Sequence, residues 1–160
     1  MKTNTTLALI VVSTLLFCPE VSAQDTLKSK LKDAGWEGVI GEWVDKETKG
    51  KTFSSTYKWS IENQVIEVRT KDPTNETVAL MGVNASNGQI FHMGADKNGT
   101  SSIGEWKIDA DGSAVLSIVA TSPAGQISLK IRHKLIGKDK MQLTIQLPQP
   151  IEINLVRKKR

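Results

Sequence analysis

The chain has 160 residues, a formal net charge of +4 and a single cysteine. The positive balance does not describe the body: residues 24–156 carry 16 basic and 16 acidic side chains, and the excess is Arg157, Lys158, Lys159 and Arg160 at the C-terminal end. A neutral body excludes a broad basic face of the kind that tracks nucleic acid, and the basic end reads as a solvated tail. In chain order, Lys2 precedes an apolar run from Leu7 to Phe17, and Val21-Ser22-Ala23 offers the small residues of a cleavage site. This pattern predicts a secretory signal over residues 1–23, too short in its apolar part to span a bilayer. Cys18 falls inside it, and Phe17 stands where lipidation would need a small residue. The expected product is a single domain, residues 24–160, exported to the periplasm or the extracellular space. It would have no disulfide and would depend on its core.

Thr26 to Ala34 reads as a short helix, with Leu27, Leu31 and Ala34 on one face and Gly35 ending it. From Trp36 onward the periodicity is close to two and turn residues recur every ten or so positions. Strands are expected near 38–45, 51–61, 64–71, 76–84, 88–95, 100–109, 113–122, 125–136, 139–147 and 150–157. Asn87-Gly88, Asn98-Gly99 and Asp111-Gly112 are hairpin signals between them. Short connections without intervening helices imply an antiparallel meander. Over the last three strands one face is continuously apolar: Ile127, Leu129, Ile131, His133 and Leu135, then Met141, Leu143 and Ile145, then Ile151, Ile153 and Leu155. Such a surface needs an enclosed side, which a closed barrel supplies while removing sheet edges. The expected fold is all-β, an up-and-down antiparallel barrel of eight to ten strands with a short N-terminal helix.

One phrase occurs twice, Ile40-Gly41-Glu42-Trp43 and Ile103-Gly104-Glu105-Trp106. Strand alternation puts each glycine and tryptophan on one face and the glutamate on the other. If the indoles point inward, Glu42 and Glu105 lie on the outer wall and do not form a buried acid–base pair. Asp109-Ala110-Asp111-Gly112 has the start of a calcium loop without its remaining ligands, and reads as a turn.

A first-strand Gly41-x-Trp43, a short helix before it, and a meander ending in Arg157 resemble the lipocalin-like, or calycin, barrels. The layout over residues 36–157 is similar to bacterial secreted lipocalin-like domains. The resemblance implies that Gly41 and Trp43 close the barrel floor and that Arg157 packs across the indole. The second Gly104-x-Trp106 departs from the lipocalin pattern.

No Cys or His cluster has metal-ligand spacing, no G-x-S-x-G elbow or phosphate loop occurs, and no cofactor or catalytic residue is assigned. The histidines are His92, whose face is ambiguous between Phe91 and Met93, and His133, on an apolar strand face. Barrels of this size hold packed side chains or one small molecule. The leading expectation is non-covalent binding of a small apolar or amphipathic ligand. The inward candidates are Phe53, Tyr57, Trp59, Met81, Trp106, Leu129, Ile131, His133 and Leu143, with Tyr57 and His133 as polar contacts. A filled barrel acting as an accessory module of the cell envelope is the second reading. An enzyme using the barrel interior is the third. Oligomeric state is left open.

Overall fold

The computed structural model describes residues 25–159; the expected signal over residues 1–23 lies outside them. Ten strands close into one barrel: β1 Gly41–Asp45, β2 Ser54–Ile61, β3 Val65–Lys71, β4 Glu76–Val83, β5 Ile90–Asp96, β6 Ser101–Ile108, β7 Ser113–Ser122, β8 Gly125–Leu135, β9 Lys140–Gln146 and β10 Ile151–Arg157. Each strand pairs antiparallel with its sequence neighbours, and β1 closes the ring against β10. The meander is therefore up-and-down, and every strand has a partner on both sides.

Two segments differ from the simplest alternation reading. Residues 37–39 form a 3-10 turn, so β1 begins only at Gly41. β2 begins at Ser54 because Asp45 organises the preceding loop, accepting hydrogen bonds from the Thr48, Gly50 and Phe53 amides. The three hairpin signals all mark real turns. In each, glycine alone takes the left-handed conformation, with φ +71° at Gly88, +82° at Gly99 and +74° at Gly112. The connections are accordingly longer than the two-residue turn in which both central residues are left-handed.

One end of the barrel is stoppered. Helix α1, Leu27–Asp33, is capped by Thr26, whose Oγ1 accepts from the Ser29 amide, and it buries Leu27 and Leu31. Trp36 follows, buried, with its Nε1 donating to the Gly112 carbonyl at 3.0 Å. Trp43 is fully buried and donates from Nε1 to the Val39 carbonyl at 2.8 Å. The Arg157 guanidinium lies 4.3 Å from the centre of the Trp43 ring. The same guanidinium donates to the carbonyls of Ile40, Gly38 and Lys138. Gly41 is required here twice over: its φ is +136°, and a Cβ would collide with Arg157 Nη1. Arg157 and Lys158 thus belong to the barrel and not to a loose tail. Lys158 Nζ pairs with Glu42 at 2.7 Å and its amide donates to the Glu42 carbonyl.

Both glutamates of the repeated phrase face outward, Glu42 toward Lys158 and Glu105 into solvent. Outward positions of β4 to β7 also carry apolar side chains. Leu80, Met93, Ile103 and Val119 occupy directly paired positions on four successive strands and are all exposed.

Candidate functional site

The interior divides into two halves. Below, toward α1, Trp36, Val39, Trp43, Ile66, Met81, Met141 and Leu155 fill the lumen. Above them lies a cavity of about 180 Å³. Its floor is aromatic. The Trp106 ring sits 4.7 Å from the His133 ring and 6.4 Å from His92, and Trp36 packs beneath at 6.2 Å from His133. Tyr57 is buried beside this cluster.

The walls differ in chemistry. β7 to β10 contribute Leu116, Ile118, Ile131, Leu143, Ile145 and Ile153, an aliphatic surface interrupted only by His133. β2 to β6 contribute Ser55, Tyr57, Thr70, Thr77, His92, Ser102 and Trp106 alongside Val68 and Ala79, with Phe53 just before β2. The division follows from strand phase. Ser55 is in phase with Tyr57, Thr70 with Val68, Thr77 with Ala79, and Ser102 with Trp106, so each hydroxyl is carried inward by an apolar residue two positions away. Thr70 Oγ1 donates to Thr77 Oγ1 across β3 and β4 at 3.1 Å, and His92 Nε2 meets Ser102 Oγ at 3.2 Å. Two other polar atoms of this wall, His92 Nδ1 and Trp106 Nε1, are buried without a partner among the described residues, as is Ser55 Oγ. Buried polar groups are nearly always paired, so three unpaired atoms on side chains lining one cavity are a concentrated exception.

Among the described residues, no Asp, Glu, Lys or Arg lines the cavity. Burial lowers both histidines to about 4; at His133 the hydrogen bonds to backbone carbonyls oppose the shift and His92 adds a little to it. Burial pushes the Tyr57 hydroxyl up to about 12. At neutral pH every lining group is therefore uncharged. Such a cavity can enclose and orient a molecule through hydrogen bonds, without a fixed charge to attract an ion. Among the described residues, no three His, Cys, Asp or Glu side chains converge as a metal-ligand set.

Of the nine inward candidates, Phe53, Tyr57, Trp106, Ile131, His133 and Leu143 line the cavity. Trp59 and Met81 do not: Met81 is buried opposite His92 in the filled half, and Trp59 is half-buried against the core. Leu129 shares the inward face of β8 but lies where the β7–β8 hairpin outruns β9, whose pairing with β8 begins at Lys130. Sequence reasoning assigned His92 no face and left out Ser55, Thr70, Thr77 and Ser102. Their phase with inward apolar neighbours was the available signal. Comparison of the chain with protein-family models and with curated proteins returns no match.

Proposed function

We propose that this protein is an exported, lipocalin-like barrel that binds a small apolar or amphipathic molecule non-covalently in the upper lumen. The observation that carries the reading is a cavity of about 180 Å³ whose polar wall includes buried polar atoms without partners. A barrel serving only as a scaffold has no need to keep that volume open or those atoms unpaired, because core voids and unpaired buried polar groups both cost stability. The Gly41, Trp43 and Arg157 closure supports the lipocalin-like reading, and the apolar run ending at Val21-Ser22-Ala23 supports export to the periplasm or beyond. Native mass spectrometry of protein purified from its source tests the binding function. A retained small molecule, lost in the cavity-filling variant Ile145→Trp, is the expected result. A clean apo mass, with tryptophan fluorescence unmoved by a panel of apolar compounds, would refute it.

One observation favours a second reading, an interaction module of the cell envelope. The outward row Leu80, Met93, Ile103 and Val119 is an apolar strip on the barrel wall, and exposed apolar patches of this kind mark contact surfaces. Sedimentation or crosslinking that depends on Ile103, and is unaffected by filling the lumen, would support that reading over the first.

A further inference from the structure

The barrel wall has one seam that the hydrogen-bond ladder does not close. β8 begins at Gly125, but its pairing with β9 begins only at Lys130, so residues 125–129 are paired with β7 alone. Lower in the same ladder the Ile136 amide donates to the Lys140 carbonyl. Backbone groups along a strand alternate sides, so the even-numbered residues of β8 direct their N–H and C=O toward β9. Gln126 and Ser128 therefore present two donors and two acceptors beyond the end of β9. None of these groups has a backbone partner among the described residues.

The sequence accounts for the gap. Carried on from Lys130 opposite Gln146, the register would set Pro148 opposite Ser128 and Pro150 opposite Gln126. Proline has no N–H, so neither could complete the ladder. The chain leaves the sheet there in the exposed connection 147–150.

Natural sheets blunt a free edge with lysine, proline, a bulge or a covering segment. Residues 125–129 read Gly-Gln-Ile-Ser-Leu, with no charge and no proline, and their register with β7 is unbroken. Gln126, Ile127 and Ser128 are all exposed. The comparable stretch of β10 beyond Asn154 is blunted, because it carries the charge of Glu152 and lies against the loop that Asp45 organises.

We propose that the upper edge of β8 pairs with the same edge of a second copy, giving a two-fold antiparallel dimer whose sheet continues from one barrel into the next. The segment is its own complement. With the axis at Ile127, Gln126 of each copy meets Ser128 of the other, and every free donor and acceptor on both edges is satisfied. Ile127, 54% exposed, then packs against its own counterpart in the non-hydrogen-bonded position, where side chains approach most closely. Lys130, the nearest charge, falls opposite Ala124 and not opposite itself. The covered area is small, which places the dimer in the weak, transient class. This surface is separate from the lumen, so the inference stands whether or not a ligand binds there.

The test is sedimentation of the purified protein from about 20 µM to about 1 mM, with backbone amide exchange followed by NMR over the same range. A monomer–dimer equilibrium with a Kd of about 0.1 mM is expected, and the Gln126 and Ser128 amides should exchange about four-fold more slowly at the upper concentration. The Ile127 and Leu129 amides, which face β7, should not change with concentration. Ser128→Pro removes one edge donor without breaking a bond to β7, and should leave a folded monomer. Should that variant not fold, Ile127→Lys sets like charges together on the axis and should abolish the dimer in the same way. A protein that stays monomeric throughout the range overturns the proposal. So does a dimer that survives both substitutions, or one that depends instead on Ile103, which would assign the contact to the outer apolar strip. Protection of the Gln126 and Ser128 amides in a monomeric sample would reveal an internal partner and would overturn it as well.

Discussion

Replacing His133 by phenylalanine should flatten the acid dependence of folding stability. His133 is 5% exposed, and its ring packs against Trp106 at 4.7 Å, a contact that phenylalanine can keep. Burial holds its folded pKa at about 4, against an ordinary value of 6.5. Between those two values the unfolded chain binds a proton that the folded protein does not, so falling pH favours unfolding. The contribution of neutral His133 is complete above pH 6.5, declines from pH 6.5 to about 4, and is constant below. At 1.36 kcal/mol for each pH unit, the loss across that window is about 3 kcal/mol. For a domain of this length it corresponds to a Tm difference of about 10 °C. His92, also lowered to about 4, adds a slope of its own, so the variant should keep part of the dependence. The assay is thermal unfolding followed by far-ultraviolet circular dichroism at half-unit steps from pH 7.5 to 3.5. Stability curves of the two proteins that run parallel from pH 6.5 to 4 would refute the reasoning, because they would mean that His133 titrates alike in both states.

Four further substitutions, at three positions, bear on the closure, the sheet and the loops. Arg157→Ala removes the guanidinium from Trp43 and leaves the carbonyls of Gly38 and Ile40 without their donor; urea unfolding should show a loss of about 3 kcal/mol. Arg157→Lys should recover less than half of that loss, because a single ammonium cannot span the forked set of carbonyls, and full recovery would disprove the role of the fork. Gly104→Ala forces a Cβ into the Ser117 carbonyl on the neighbouring strand, a backbone atom that cannot swing aside, and should lower stability by about 3 kcal/mol; an unchanged melting temperature would show that β6 and β7 can separate there. At Asp45, burial alone would raise the carboxyl, but hydrogen bonds from the Thr48 hydroxyl and amide, the Phe53 amide and Thr52 outweigh it and hold the carboxyl well below its usual range. Its stabilising contribution is therefore present above pH 3.8 and lost as pH falls below that value. Asp45→Asn should lower the melting temperature at pH 7, with the gap to the parent narrowing steadily as pH falls below 3.8, and a constant gap between the two would count against the carboxylate as the loop's organiser.

The architecture was readable because period-two patterning survives wherever one strand face is dry. Ile131, His133 and Leu135 alternate with Arg132 and Lys134 on β8, and the register carries that phase directly to Leu143 and Met141. Phase was harder to read on β4 and β5. Leu80 and Met93 are as apolar as the core, yet they point outward, so both faces of those strands look dry in sequence. His92 sits between Phe91 and Met93 and was ambiguous for the same reason; only its pairing with Met81 and Gly104 fixes it as inward. The polar wall was missed because serine and threonine at inward positions resemble ordinary surface residues. Composition cannot distinguish a hydroxyl facing solvent from one facing a cavity, and Ser55, buried in phase with Tyr57, shows that the neighbour two residues away can.

The repeated phrase illustrates how one local rule can serve two ends. β1 rises from the stoppered end and β6 descends toward it, so the two copies run in opposite directions. In the first copy glycine lies on the floor side of its indole. Its missing side chain admits Arg157, and Trp43 becomes the closed base. In the second, glycine lies on the mouth side. Its missing side chain lets β7 approach closely, and Trp106 becomes the floor of the cavity above. The indole nitrogens differ too: Trp43 donates to Val39, whereas Trp106 has no acceptor among the described residues. An identical Gly-Glu-Trp therefore seals the base of the barrel in one copy and floors the lumen cavity in the other. The direction of the strand that carries it, and not the motif itself, decides which space each indole closes.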